Sequence, residues 1–241
     1  MKPVRGNPDG FIDANPAGLD LSRAGPIERA FWSHDGRIVG KWQPFLPAYD
    51  RHFAPWLGSS VRILELGVHK GGSLDLWRKT FGPNATIFGV DIDPACAAFD
   101  GLSGSVRIGS QDDPAFLSDV VDEMGGVDIV IDDGSHVQSH VRTSFSTLYP
   151  RLSDGGIYAV EDMGCAYWLQ YGGQLRGRET FMTMAQELVD DMHHWYHEQP
   201  ARHPAFQNRV GGVHFYDGLV IFDKADMGRP HWTWKGTESP A

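Results

Sequence analysis

Between residues 61 and 162, short β-branched apolar runs alternate with stretches whose apolar positions recur at helical spacing. Val61–Gly67 predicts a strand, Ser73–Thr80 a helix, Thr86–Asp91 a second strand and Pro94–Phe99 a short helix. Ser105–Gly109, Val127–Asp132 and Gly156–Glu161 predict three further strands, with helices over Pro114–Val121 and Gln138–Leu152 between them. Repeated strand-helix-strand units imply a parallel sheet covered on both faces, with right-handed connections. Beyond a Gly- and Tyr-rich loop, the pattern predicts a helix over Glu179–Tyr196 and two strands, Gly212–Phe215 and Leu219–Asp223. The Tyr216-Asp217-Gly218 link between them is a hairpin signal. The expected α/β fold is Rossmann-like, with a seven-stranded, mostly parallel sheet ending in an antiparallel hairpin.

The flanks read differently. Residues 1–60 form an N-terminal arm or cap: the first twenty-five residues are loop-like, and aromatics and prolines cluster from Phe31 to Trp56. Residues 61–241 form the main domain, with an irregular surface tail after Asp226. The length, 241 residues, suits one large α/β domain. A formal net charge of −10 and the lack of any basic run argue against nucleic acid or an anionic membrane as partner. Cys96 and Cys165 form no CxxC pair, Met1–Gly10 lacks the apolar stretch of a signal peptide, and no apolar run approaches a membrane span. These features fit a cytoplasmic protein.

The segment Ile63-Leu64-Glu65-Leu66-Gly67-Val68-His69-Lys70-Gly71-Gly72-Ser73 joins the first strand to the first helix of the sheet. Ligands of doubly wound sheets sit at the carboxyl ends of the strands. The pattern is Glu-x-Gly-x-x-x-Gly rather than the GxGxxG that seats a pyrophosphate on a helix N-terminus. A carboxylate two residues before the first glycine would repel a pyrophosphate but attract the ammonium of S-adenosylmethionine. Asp91, ending the second strand, is placed to accept from ribose hydroxyls. Gln111 and Asp112, after the third strand, are placed to reach an adenine edge. Glu65, Gly67, Gly71, Ser73, Asp91, Gln111, Asp112 and Asp132 are thus the candidate cofactor residues. A plain Gly-rich turn with helix caps, Asp93 among them, is the blander alternative.

Asp132-Asp133-Gly134-Ser135-His136 ends the fourth strand and Glu161-Asp162 the fifth, on the same rim. Carboxylates gathered there repel one another unless a cation lies between them, and hard oxygen donors select Mg2+ or Ca2+. Asp133, Glu161 and Asp162 are the candidate metal ligands, and His136 the candidate general base for an acceptor hydroxyl. Helix capping by the Asp pair is the alternative. Tyr167, Trp168 and Tyr171 follow the acidic pair and are candidates for stacking on a sugar ring, or equally for core packing. His193 and His197, spaced i, i+4, form a weaker metal candidate, and Trp232 and Trp234 read as packing or tail contacts.

Several segments resemble the magnesium-dependent class I sugar O-methyltransferases of antibiotic biosynthesis, the mycinamicin, macrocin and rhamnosyl type, and the related cephalosporin hydroxylase-like family. They are Tyr49-Asp50-Arg51-His52-Phe53, Ile63 to Ser73, Asp132 to His136, Glu161-Asp162 with Tyr167-Trp168, and Val213-His214-Phe215-Tyr216-Asp217. The resemblance implies metal ligands at Asp133, Glu161 and Asp162, a base at His136, a segment around Lys41 and Trp42 that closes over the site, and a homo-oligomer. It further implies S-adenosylmethionine and Mg2+ as cofactors, and as acceptor the hydroxyl of a glycoside or nucleotide-sugar. A catechol or polyketide phenol is the alternative acceptor, and a non-catalytic protein that binds S-adenosylmethionine or S-adenosylhomocysteine is the alternative of another class.

Overall fold

The computed structural model describes residues 20–237. Its sheet comprises β1 (Arg62–Leu66), β2 (Thr86–Asp91), β3 (Ser105–Ile108), β4 (Val127–Asp132), β5 (Leu152–Val160), β6 (Val210–Tyr216) and β7 (Leu219–Lys224), in the order β3-β2-β1-β4-β5-β7-β6. The first five strands run parallel, while β7 is antiparallel to both β5 and β6. The expected seven-stranded arrangement is therefore present, hairpin included.

Strand alternation divides the core in two. Leu64, Leu66, Val130, Tyr158, Val160 and Phe222 face α4 (Pro114–Met124), α5 (Gln138–Leu148) and α6 (Phe181–Met192). Their neighbours Ile63, Ile129, Ile131, Ile157, Ala159 and Ile221 face α1 (Pro26–Trp32), α2 (Phe45–Phe53) and α3 (Gly72–Phe81). Adjacent residues of a strand point to opposite faces, so a strand buried on both sides reads as a continuous apolar run. All six residues of β4 are buried, and its Ile129-Val130-Ile131 stretch makes the strand legible between Asp128 and Asp132.

Local chemistry sets the boundaries. The helix expected to reach residue 152 stops at Leu148, and a 3-10 turn over Tyr149–Arg151 leads into β5. Pro150 lacks the N–H that another helical turn needs. β5 starts four residues earlier than the apolar pattern indicates, at Leu152 rather than Gly156, because Asp154-Gly155-Gly156 hides its first half. Thr180 caps α6 by accepting from the Thr183 amide. That helix ends at Met192, short of the expected Tyr196. His193 and His197 turn back onto the carbonyls of Val189 and Asp190, at 2.7 and 3.0 Å. Both rings are thus engaged by main-chain carbonyls at the helix end, and form no shared metal face. Trp232 and Trp234 pack against each other on the exposed tail.

Residues 26–53 are fastened to the sheet. Asp50 of α2 accepts from the Ile27 and Glu28 amides at 2.7 and 3.1 Å, capping α1 from a neighbouring helix. The natural cap position is Gly25, which has no side chain to offer. Residues 1–19, a third of the expected arm, lie outside the described residues. Among the described residues, no helix is long and apolar enough to cross a membrane.

Phe145 of α5 is fully buried against Tyr149, Tyr158, Phe181, Phe206 and Phe222. Phe145→Ala should cost about 3–5 kcal/mol of unfolding free energy, read as a lowered midpoint in urea.

Candidate active site

The turns that follow β1 and β4 meet over the sheet. The Asp133 amide donates to the Leu66 carbonyl at 3.0 Å, and the Gly67 amide to that of Val90 at 2.8 Å. Gly67 has φ +95°, and a Cβ there would lie 2.2 Å from the Asp133 carbonyl oxygen. Only glycine fits this contact. Gly71, at φ +73°, opens α3. Above these turns lies a cavity of about 520 Å³, walled on its far side by Ile38 to Lys41 of the arm.

Six of the expected residues line this cavity: Gly67, Ser73, Asp91, Gln111, Asp133 and His136. Asp91 is held rigidly, accepting from the amides of Val68, His69 and Asp93 at 2.9 to 3.0 Å. Partial burial opposes its ionisation, but these three bonds outweigh that and keep its carboxyl below the ordinary range. Gln111 reaches the cavity wall with its functional groups already engaged. Its Oε1 accepts from the Ser135 amide at 2.6 Å, and its Nε2 donates to Asp132 at 3.0 Å.

Four expected cofactor residues do not line the cavity. Asp132 is the last residue of β4 and is buried on the α5 side, bonded to Ser144, Gln111 and Tyr158. Strand alternation forces this: of Asp132 and Asp133, only one can face the rim. Asp112 is exposed beside the cavity, with its Oδ2 3.7 Å from Nε2 of the lining residue His140. Gly71 contributes backbone shape, since a Cβ there would strike Arg37 and Phe99. Glu65 is fully buried, accepts from Ser73 Oγ at 2.6 Å and lies 3.6 Å from the Lys41 ammonium.

The acidic rim forms around Lys41. Its Nζ lies 2.6 Å from both Asp133 Oδ2 and Glu161 Oε1, and its side chain is 1% exposed. Burial opposes a charge on Lys41, but Asp133, Glu161 and Glu65 overcome that and drive its pKa well up. Glu161 is pushed up to about 8, first by burial and then by Asp133, against the pull of Lys41 and Tyr49. The Tyr49 hydroxyl donates to Glu161 at 2.5 Å, and Trp42 Nε1 donates to Asp162 at 2.6 Å. Asp162 is raised as well, first by burial, with His136 opposing and Asp133 adding. Side-chain atoms of Asp133, His136 and Asp162 lie within 4.8 Å of one another, a cluster able to hold a metal ion. The structure thus gathers Asp133 and Asp162 with His136, whereas Glu161 shares Lys41 with Asp133.

His136, at φ +58°, and Asp162, at φ +52°, both occupy the left-handed region. Such backbone is costly for non-glycine residues and concentrates where side chains must be aimed. His136 Nε2 lies 3.5 Å from Asp162 Oδ2, and its ring is 6.2 Å from that of Tyr171. Tyr171 in turn packs beside Trp168 at 6.0 Å, and Tyr167 is largely exposed. Tyr49 went unidentified as a site residue, and Lys41 was reached only through the resemblance. Strand-end motifs carry no signal for partners 92 or more positions away.

Comparison with known proteins agrees with this fold. Residues 64–163 match the family described as a methyltransferase domain. The 8-demethyl-8-(2-methoxy-alpha-L-rhamnosyl)-tetracenomycin-C 3'-O-methyltransferase of Streptomyces olivaceus is 39% identical over 84% of this chain and 55% of its own length. The mycinamicin VI 2''-O-methyltransferase of Micromonospora griseorubida is 39% identical over 81% of this chain and 52% of its own length. The solved structure of MycE methyltransferase from the mycinamycin biosynthetic pathway, in complex with Mg, SAH and mycinamycin VI, superposes with a TM-score of 0.73 at 34% identity. It matches over 89% of this chain and 56% of that one. The chain spans about half the length of the curated relatives it matches.

A raised carboxyl pKa fixes the sign of a pH effect. Glu161 binds a proton more tightly folded than unfolded, so its contribution to stability falls as pH rises from the ordinary carboxylate range through about 8. A divalent ion bound at Glu161 would compete with that proton. The rise in melting temperature produced by Mg2+ should therefore grow as pH increases from 6 to 8.5, in calorimetric scans with and without the ion.

Proposed function

We propose, since the chain belongs to the class I methyltransferase family, that it transfers a methyl group from S-adenosylmethionine to a sugar hydroxyl of a glycosylated natural product, in a Mg2+-dependent reaction. The observation that carries this reading is the convergence of Asp133, His136 and Asp162 within 4.8 Å beside the cavity that Gly67 and Asp91 line. Relatives named for O-methylation of rhamnosyl, mycinamicin and macrocin substrates support the sugar as acceptor. A cytoplasmic setting, a homo-oligomer, and a division into a cap at 1–60 and a methyltransferase domain at 61–241 complete the proposal.

Asp133 and Asp162 offer hard oxygen donors suited to Mg2+, and the Lys41 ammonium between Asp133 and Glu161 demonstrates that this rim demands positive charge. Glu161 joins them as a ligand where Lys41 yields its place. Bound there, Mg2+ would acidify and orient an acceptor hydroxyl. The chain's own residues do the rest. Asp91 has a fixed carboxylate to offer the ribose hydroxyls, and the backbone at Gly67 allows the donor to approach closely. Glu65 places negative charge behind the cavity floor, shared with Lys41, rather than meeting the donor's ammonium directly. His136 is aimed by its left-handed backbone to take the acceptor's proton. Tyr171 and Trp168 supply aromatic faces on which a sugar ring can stack. Holding oxygen and methyl in line accounts for much of the rate.

His136→Ala should lower turnover by about 10²–10⁴-fold with S-adenosylhomocysteine affinity unchanged by calorimetry. A variant with full rate removes His136 from the role of base. EDTA should abolish turnover and Mg2+ restore it, and EDTA-insensitive turnover would sink the metal's part. A substrate panel of glycosides, nucleotide-sugars and catechols, with methylated product detected by mass, decides the acceptor.

A further inference from the structure

A second constellation lies on the α2 face of the hairpin. In the β6–β7 pairing Gly212 stands opposite Asp223 and His214 opposite Ile221. His214 and Asp223 therefore project from the same face of the sheet as Ile221, the face that α2 covers. His52, in the last turn of α2, comes down on them. His214 Nε2 lies 2.7 Å from Asp223 Oδ2, and His52 Nδ1 lies 3.7 Å from Asp223 Oδ1. One ligand atom from each of the three side chains lies within 4.8 Å of the others.

We propose that His52, His214 and Asp223 bind a borderline transition-metal ion, of the Zn2+ or Co2+ kind, which staples α2 to the C-terminal hairpin. Two imidazole nitrogens and one carboxylate oxygen form a donor set for such ions, whereas Mg2+ prefers oxygen. The two clusters found among the described residues thus sort cations by donor softness.

Three details fit a metal better than a simple histidine–carboxylate network. His52 Nε2 is engaged by the Tyr216 hydroxyl at 2.9 Å. In the His52 tautomer that suits a metal, Nε2–H donates to that oxygen, which Arg51 also reaches at 3.4 Å. This tautomer leaves the Nδ1 lone pair facing the cluster, and anchoring of the distal ring nitrogen is how metal-ligating histidines are held. Second, 3.7 Å between His52 Nδ1 and Asp223 is too long for a hydrogen bond but close to the spacing of about 3–3.5 Å between ligand atoms around Zn2+. Third, Gly212 leaves the position above the cluster open: a Cβ there would lie 3.0 Å from His214 Nε2 and 3.1 Å from Asp223 Oδ2.

The test titrates Co2+ into the full chain with Mg2+ in excess to saturate the acidic rim, following the visible d–d bands, with Zn2+ as competitor. The expected result is saturation at about one equivalent, in wild type and in Asp133→Asn alike. His214→Gln and Asp223→Asn should each lose about 100-fold or more in affinity. Tyr216→Phe, which keeps all three ligands, should lose about 10–100-fold, and guards against a ligand variant that merely misfolds. Zn2+ at about 100-fold over its Kd should raise the melting temperature by about 5–10 °C in wild type and in Asp133→Asn, and by far less in His214→Gln and Asp223→Asn. Co2+ bands that persist in His214→Gln and vanish in Asp133→Asn would assign the ion to the rim and overturn the proposal. So would wild-type binding no tighter than about 1 mM.

Discussion

The site is organised by one electrostatic constraint: buried carboxylates at the ends of adjacent parallel strands must share a cation. Parallel pairing puts Leu66 opposite Asp132, and Asp132 opposite Val160, so the chain emerges from β1, β4 and β5 at a common level. The residues that follow are brought together whether or not their charges agree. Lys41 answers this from the arm, within 2.6 Å of Asp133 and Glu161 and 3.6 Å of Glu65. Removing a single partner would leave a charge stranded in a dry environment, which costs far more than the pair contributes when intact.

Because that cation comes from residue 41, the arm is part of the site's construction. α2 supplies both hydrogen bonding and packing. The Tyr49 ring stacks on Phe53 at 4.9 Å and meets Trp77 edge-on at 5.7 Å, and its hydroxyl reaches Glu161. Asp50, one residue on, ties α2 back to α1. The arm fixes the carboxylates from one side, while the α5 side fixes them from the other through Asp132, Gln111 and Ser144. A rim held from both faces of the sheet presents its side chains with little freedom, as catalysis by positioning requires.

Hydrophobic patterning makes the sheet legible, because β1, β2 and β4 are buried on both faces and leave apolar stretches such as Ile63-Leu64, Ile87-Phe88 and Ile129-Val130-Ile131. It failed where glycine or proline chemistry overrode the pattern, at Pro150 and at Gly155-Gly156. Strand-end acids located the rim but not the duty of each residue. Asp132 and Asp133 are indistinguishable by type, and only the two-residue period of a strand separates a carboxylate that braces α5 from one that faces the cavity. Glu65 shows a different limit. An acid before a glycine suggests attraction for a ligand's ammonium, yet a lysine distant in sequence takes up that charge. Lys41 and Tyr49 are tertiary facts, visible in sequence only as members of segments that a family shares.

Charge balance carries the argument one step further. Ionised Glu65, Asp133, Glu161 and Asp162 would together carry four negative charges, against one positive charge on Lys41, in a region where three of the five side chains are nearly or fully buried. A low dielectric does not tolerate such an excess. Retaining a proton on Glu161, with its pKa at about 8, removes one unit. Protons and the proposed divalent cation are thus alternative answers to the same imbalance, and near neutrality they would compete for the same oxygens. The charge excess that underlies the proposed Mg2+ site also holds the Lys41 ammonium charged and raises Glu161.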